Sequence, residues 1–472
     1  MTYALIDNAT LTAVQRIEGK VATRSADSVD TDLVALENLI QAILFYDDVI
    51  AIDDYIPEHR DDRINSFPFI RFLSPSDFKL DEISDIATDK ASEIKPEIRG
   101  GEFANEEFKS LLELLKTHIV CTWDISSSVY YLTLKGLSER GGSEFKKYGN
   151  LAAAIFSELG DAQASGKRIE STPRLVDRYG EPITEGYTIP NARWGAGSTG
   201  GMTEAVKAFA ASLVWLANRS IYYSLAGSYL KADTFIYPIR QTYQQHYLGT
   251  CCEYGRDFSR RIVGSFSESL GEDLLDVHNA GLASATAMDI PLFSAWLTQN
   301  TGDPSLAISS ALDLRERQDF VEARGQLKEI RLLCEEQEIV QTNKKVTKIL
   351  CDLRKLSKGF RESYGVETKQ GIPVTRLVNV YNTVAAVKGL PQLPAYDINI
   401  KLPEFMRGFR KASGFSAVYR NVGQDLATVW SLGGLRDLLG SKVVEDSSAI
   451  AYNPKQEEPR FRNFHSRFKS PM

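Results

Sequence analysis

Short apolar runs alternate with amphipathic helical segments over the first 124 residues, and this alternation most constrains the fold of the chain. Four runs have the length and composition of buried strands: 3–7, 49–52, 69–73 and 118–124. Strands that alternate with helices are joined by crossover connections, which place them side by side in a parallel sheet. The sequence therefore predicts an N-terminal α/β domain over residues 1–125, with a Rossmann-like parallel sheet.

The helical segments of this part have a clear apolar side. Between residues 31 and 46, with Asp30 or Thr31 as the expected N-cap, the apolar positions are three or four apart: Leu33, Leu36, Ile40, Ile43 and Leu44. The segment before the last predicted strand repeats this spacing: Phe108, Leu111, Leu112 and Leu115. We expect both sets of side chains in the core.

The character of the chain changes after residue 124. A chain of 472 residues is longer than one core usually holds. Residues 126–445 are predicted to form a large, mainly helical body, with a helical hairpin within 304–362. Its predicted helices include 203–229, 232–268, 304–335 and 422–439. A long proline-containing loop is expected at 162–202, and a flexible tail rich in Arg and Phe at 446–472.

Charge is distributed unevenly along the chain. Residues 1–124 hold 25 Asp and Glu against 12 Lys and Arg, whereas the rest of the chain is net positive. An acidic N-terminal part is not expected to be the main nucleic-acid binding surface, because phosphate backbones attract Lys and Arg. Three roles are compatible with the acidic charge: a solvated surface, the attraction of metal ions, or docking on the basic second part of the chain.

Cysteine usage and hydropathy indicate the compartment. The five cysteines form no CxxC pair, which disfavours a disulfide scaffold and a zinc site and favours the reducing cytoplasm. The start of the chain lacks the pattern of a secretory signal. The longest apolar stretch, residues 205–227, contains Lys207 and Arg219, so we expect a core helix and no membrane span.

Acidic residues stand at the ends of the predicted strands. Asp7 closes the first strand and Asp124 closes the last, Glu58 follows the second, and Glu106 opens the helix that leads to the last. The carboxyl ends of parallel strands meet at one edge of a sheet, which is where open α/β sheets bind ligands. We therefore expect these four carboxylates to lie close together.

This order of acids resembles that of the PIN-like nucleases, over the N-terminal quarter of the chain. The resemblance implies that Asp7, Glu58, Glu106 and Asp124 act as metal ligands and catalytic residues. It further implies bound Mg²⁺ or Mn²⁺ that activates water for phosphodiester cleavage. The chain has Glu106 where that family usually has Asp, and extra acids surround Glu58.

Three further patterns are less specific. The segment 195–200 matches G-x-G-x-x-G, but no good strand precedes it, so a flexible loop is expected. The pair Arg240 and His246, like Arg460 and His465, has a spacing similar to that of HEPN-type RNases, with a surface or capping role as the favoured alternative. The stretch 243–261 mixes aromatic and basic residues, which fits either nucleic-acid contact or a buried helix contact.

Two functions follow from these observations. The first is a metal-dependent phosphodiesterase whose basic helical body holds nucleic acid. The second is a non-catalytic accessory protein, with an inactive α/β domain and a helical body that binds a protein partner or a second copy of the chain. The absence of a strong motif beyond residue 125 favours the second.

Overall fold

The structure is a computed structural model, and it describes most of the α/β part and most of the helical body. The described residues are 2–23, 28–99, 102–103, 105–115, 122–123, 130–131, 143–167, 174–176, 204–251, 257–281, 291–336, 338–364, 366, 413–429 and 432–445. Asp124, the glycine segment 195–200, Arg256 and the tail 446–472 lie outside them. The Arg460 and His465 pair is in that tail.

Nine short strands are described. They are β1 (Tyr3–Ile6), β2 (Asp48–Ile52), β3 (Arg71–Leu73), β4 (Glu97–Arg99), β5 (Glu102–Phe103), β6 (Thr122–Trp123), β7 (Tyr130–Tyr131), β8 (Arg174–Val176) and β9 (Ala232–Phe235). Four of them form the main sheet, in the order β3-β2-β1-β9, with every neighbouring pair parallel.

Helices make up most of the remainder. Seven lie in the first half of the described chain: α1 (Asn8–Ile17), α2 (Val29–Phe45), α3 (Pro57–Ser66), α4 (Leu80–Ala91), α5 (Glu106–Leu114), α6 (Ser143–Ala164) and α7 (Glu204–Leu230). Eight follow: α8 (Pro238–Thr250), α9 (Phe258–Gly281), α10 (Leu292–Thr301), α11 (Ala307–Leu314), α12 (Gln318–Glu335), α13 (Ile339–Ser363), α14 (Phe415–Ala427) and α15 (Leu432–Leu439). The predicted fold class, a parallel α/β sheet followed by a large helical region, is confirmed.

The fourth strand of the sheet comes from an unexpected part of the chain. Strand β9 pairs with β1, although the sequence analysis placed residues 232–235 in a helix at 232–268. That prediction is wrong. All four residues of β9 are buried in the sheet, and the backbone on either side of the strand interrupts a helix. Lys231 adopts a left-handed backbone with φ of 51°, and Pro238 begins α8. A further break, with Asp257 at φ 55°, separates α8 from α9.

The last strand predicted for the N-terminal part does not join this sheet. Of residues 118–124, Thr122–Trp123 is described, and it pairs antiparallel with Tyr130–Tyr131 in a separate two-stranded sheet. Strand β1 has β2 on one side and β9 on the other, so no place remains beside it. This strand was therefore assigned to the wrong sheet.

Two helix predictions and one loop prediction differ from the structure. The segment 304–335 is divided into α11 and α12, and the expected hairpin is formed by α12 and α13. The segment 422–439 is divided into α14 and α15, and α14 begins earlier, at Phe415. The expected loop at 162–202 contains the end of α6 and strand β8, which pairs with β4.

The predicted core positions are confirmed. The apolar residues expected on one side of α2 are at most 3% exposed, and those expected on α5 and just after it are at most 7% exposed. Helix α2 begins at Val29 after Ser28, so neither Asp30 nor Thr31 is its N-cap.

The apolar stretch at 205–227 forms helix α7, which packs against α4, α6 and α8. Arg219, near its middle, is 1% exposed. Among the described residues, no helix has the length and apolar character needed to cross a membrane.

A buried carboxylate joins the two parts of the molecule. Glu37 of α2 accepts hydrogen bonds from the backbone N–H groups of Phe293 and Ser294, at 3.1 and 2.8 Å, and from the Ser294 hydroxyl. These N–H groups belong to the first turn of α10, where no carbonyl oxygen of the helix is in position to accept their hydrogen bonds. A negative charge there also interacts favourably with the helix dipole.

We expect Glu37→Gln to lower the free energy of unfolding by about 1 to 2 kcal/mol, because an amide has one acceptor oxygen for several buried donors. Chemical denaturation measures the change, with Glu82→Gln on the exposed surface of α4 as the control. Equal stability of the two variants would contradict this role.

Candidate functional site

The order of the main sheet places a topological switch point between β1 and β9. The chain runs from β1 to β2 and β3 on one side, whereas β9 lies on the other side of β1. Ligands of open α/β sheets bind in the crevice at the carboxyl ends of the strands that flank such a point. In this chain the two strands end at Ile6 and Phe235, which are aligned in the ladder. The candidate site therefore begins at Asp7 and Tyr237.

Asp7 is fully buried and accepts hydrogen bonds from three residues. Its Oδ1 accepts from the backbone N–H of Thr10, at 2.9 Å, and of Tyr237, at 3.1 Å. Its Oδ2 accepts from Nη1 of Arg240 at 3.0 Å. Asp7 therefore caps helix α1 and ties the ends of β1 and β9 together.

Arg240, in the first turn of α8, is the centre of this cluster and is fully buried. Its Nε and Nη2 donate to the two oxygens of Glu158, at 2.9 and 2.6 Å. Nη2 also donates to Oδ2 of Asp161 at 2.7 Å. Together with Asp7, three carboxylates thus surround one guanidinium, an arrangement in which planar arginine makes strong charge-assisted hydrogen bonds. We call Asp7, Glu158, Asp161 and Arg240 the Arg240 centre.

A second buried arginine extends the cluster toward β2. Arg219 donates from Nη2 to Asp54, which follows β2, at 2.5 Å. Its guanidinium carbon lies 4.9 to 5.5 Å from the centroids of three rings, those of Trp215, Tyr222 and Tyr223. Aromatic rings of this kind attract a desolvated cation and replace part of its lost hydration.

Polar side chains close the gap between β1 and β2. Asn8 donates from Nδ2 to the carbonyl oxygen of Ile52 at 3.0 Å and to Asp54 at 2.5 Å. Arg63 of α3 donates to the backbone oxygen and to Oδ1 of Asn8, at 2.8 and 2.6 Å, and lies over the ring of Tyr55. Tyr55 in turn donates its hydroxyl to Asp161. The carboxyl edge of the sheet is thus filled by a continuous hydrogen-bonded network.

The acids of the Arg240 centre have different protonation behaviour. Burial raises the pKa of Glu158 to about 7, with Asp161 and Asp7 adding to the rise and Arg240 opposing it. Burial also acts to raise the pKa of Asp161, but Arg240, Arg219 and the Tyr55 hydroxyl outweigh it and hold that pKa well below its usual range. The three carboxylates outnumber the guanidinium of Arg240, so the last one to ionise is disfavoured.

The carboxylates that the sequence predicted as ligands lie apart or outside the described residues. Asp7 is bound by Arg240, whereas Glu58 is exposed near the start of α3. Glu106 is exposed at the start of α5 and forms an ion pair with Lys109 at 2.8 Å. Asp124 is not among the described residues. No three His, Cys, Asp or Glu side chains of the described ranges gather in a way that could hold a metal ion.

The sequence analysis missed most of the Arg240 centre. Glu158 and Asp161 lie three residues apart on α6, in a stretch interpreted only as helical. Arg240 was noted for its spacing from His246 and expected at the surface, but it is fully buried, whereas His246 is exposed. Arg219 was the available signal, because an arginine in the middle of an apolar helix needs an acidic partner.

Comparison of the chain with known proteins finds no match among protein-family models, curated proteins or solved structures.

Proposed function

We propose that this chain is a non-catalytic accessory protein, in which the α/β part is a structural scaffold and the helical body binds a partner. A single observation carries the proposal: at the switch point of the sheet, Asp7, Glu158 and Asp161 are all paired with Arg240. A phosphodiesterase of the expected type needs carboxylates with free oxygens that bind a metal and activate water.

The chemistry of the arginine supports this reading. A guanidinium stays protonated at any physiological pH, and it offers neither a Lewis-acidic orbital nor a bound water of lowered pKa. It supplies positive charge and five directed N–H groups, which hold β1, α6 and α8 in one geometry. The Arg240 centre therefore stabilises the fold and performs no proton transfer in this proposal.

The alternative is the metal-dependent phosphodiesterase, acting on nucleic acid through Asp7, Glu58, Glu106 and Asp124. Asp7 and Asp54 do stand at the carboxyl ends of adjacent parallel strands, which favours it. It requires Asp124, which lies outside the described residues, and it requires Asp7 to exchange its bond to Arg240 for one to a metal.

A cleavage assay distinguishes the two functions. We expect the purified full chain with Mn²⁺ to leave labelled RNA and DNA oligonucleotides intact, since no three acidic side chains of the described residues gather where they could hold a metal ion that activates water. Mn²⁺-dependent cleavage that disappears in Asp7→Asn and persists in Glu82→Gln would overturn the proposal in favour of the nuclease.

The proposed compartment is the cytoplasm. Cys251 and Cys351 are free thiols. Free thiols persist in a reducing compartment, where disulfides are rare.

A further inference from the structure

Helix α13 presents a row of exposed lysines on one side. Lys344, Lys348, Lys355 and Lys358 are all exposed, and their spacing places them within a narrow sector of the helix surface. At 1.5 Å per residue the row extends over about 21 Å. Helix α13 carries seven Lys and Arg against two Asp and Glu.

The opposite side of α13 fixes the helix in the helical body. The buried positions on that side are Val346, Leu350, Leu353 and Phe360. They face α9, α12 and α14, which pack against α13. The lysine row is therefore held on a rigid, anchored element and faces away from the core.

Among the described residues, two of the four lysines in the row form no ion pair. In the part of the chain that the structure describes, Lys344 and Lys348 have no carboxylate within ion-pair distance. Lys355 and Lys358 have neighbours on the same helix, Asp352 at 3.8 Å and Glu362 at 3.6 Å. Such exposed pairs contribute little, because water screens them.

The composition of the lysine row indicates which class of molecule it binds. A protein interface needs an apolar centre and is depleted in lysine. On this side of α13 the exposed apolar residue is Val340, at one end of the row, and the residues between the lysines include Cys351, which is half-buried. A regular row of flexible ammonium groups suits a phosphate backbone, whose binding is electrostatic and needs no apolar centre.

We infer that the lysine row of α13 binds the phosphate backbone of a nucleic acid, without sequence specificity. The inference rests on the proposed function, since it names the partner of the helical body. At about 3.4 Å per nucleotide, the row covers about six nucleotides. Four phosphate contacts predict that log K falls with log salt with a slope of about −3. The affinity should be weak, with Kd of about 1 to 100 μM.

The test is fluorescence anisotropy of a labelled single-stranded oligonucleotide, several times longer than the row, titrated with the full chain in EDTA across a salt series. EDTA removes divalent metal, so the result is independent of any cleavage. The test variant combines Lys344→Gln, Lys348→Gln and Lys355→Gln. The control combines Lys20→Gln, Lys90→Gln and Lys95→Gln, which removes the same charge from exposed positions elsewhere.

We expect the test variant to bind at least tenfold more weakly and to have a salt slope of about −1, because one of the four phosphate contacts remains and each contact contributes about 0.7 to the slope. The control should match the wild type. Equal loss in both variants would overturn the inference, as would an unchanged slope in the test variant or no binding by the wild type at low salt. Sedimentation adds an independent outcome: self-association of the wild type that is lost in the test variant would assign the row to a second copy of the chain.

Discussion

Replacing Arg240 by methionine is expected to lower the free energy of unfolding by about 3 to 5 kcal/mol, the largest effect of any single change considered. Methionine keeps much of the volume but leaves Asp7, Glu158 and Asp161 buried without their cation. Taking one partner from a buried ion pair costs more than the pair contributes, because the remaining charge stays desolvated.

Denaturant unfolding followed by circular dichroism measures this loss. Gln245→Met, on the exposed side of the same helix, is the matched control and should change stability by less than about 0.5 kcal/mol. The loss in Arg240→Met should shrink at acid pH, where the uncompensated carboxylates become protonated. A loss below about 1 kcal/mol, independent of pH, would mean that the Arg240 centre is hydrated and has no structural role.

The second large effect concerns Asp233, on β9. Its Oδ2 accepts a hydrogen bond from the Tyr46 hydroxyl at 2.7 Å, and Nη1 of Arg331 lies 3.8 Å away. The nearby carboxylate of Asp257 accepts from the backbone N–H and the hydroxyl of Thr234, at 3.0 and 2.7 Å. Burial, followed by the charge of Asp257, raises the pKa of Asp233 to about 6, while Arg331, the Tyr46 hydroxyl and Arg260 oppose the rise.

This shift has a definite consequence for stability. A carboxyl whose pKa is raised by folding stabilises the folded state below its unfolded value, here 3.8, and loses that contribution as the pH rises through about 6. Asparagine resembles the protonated form at every pH. We therefore expect the stability of Asp233→Asn, relative to the wild type, to rise by about 2 to 3 kcal/mol between about pH 4 and about pH 7.

Taking the difference between variant and wild type at each pH removes the titration of groups that do not interact with Asp233. Asp81→Asn, at an exposed position on α4, is the control for the loss of one surface charge. A difference that stays constant over this range, or that falls with rising pH, would contradict the raised pKa of Asp233.

The parts of the fold that the sequence predicted depend on local patterns. Helix α2 was found from the three- and four-residue spacing of its buried side, and β1 and β2 from short apolar runs that end in acids. These signals are complete within about fifteen residues, so they do not require knowledge of the tertiary fold.

The parts that were missed depend on contacts between distant segments. Strand β9 is four residues long and follows a 27-residue helix, so its pairing with β1 leaves no periodic signal. Arg240, which donates a hydrogen bond to Asp7, lies more than 200 residues away from it in the sequence. A pattern of acids in a sequence is compatible with a metal ion or with an arginine at the site, because either cation attracts carboxylates. Only the fold determines which one is present.

The most direct test of the central claim is calorimetric titration of Mn²⁺ into the purified wild-type chain, with Asp7→Asn and the exposed-site variant Glu58→Gln beside it. Because Asp7, Glu158 and Asp161 are already paired with Arg240, we expect no saturable heat from the wild type. Saturable Mn²⁺ binding by the wild type that is lost in Asp7→Asn would contradict the account and place a metal at the switch point of the sheet.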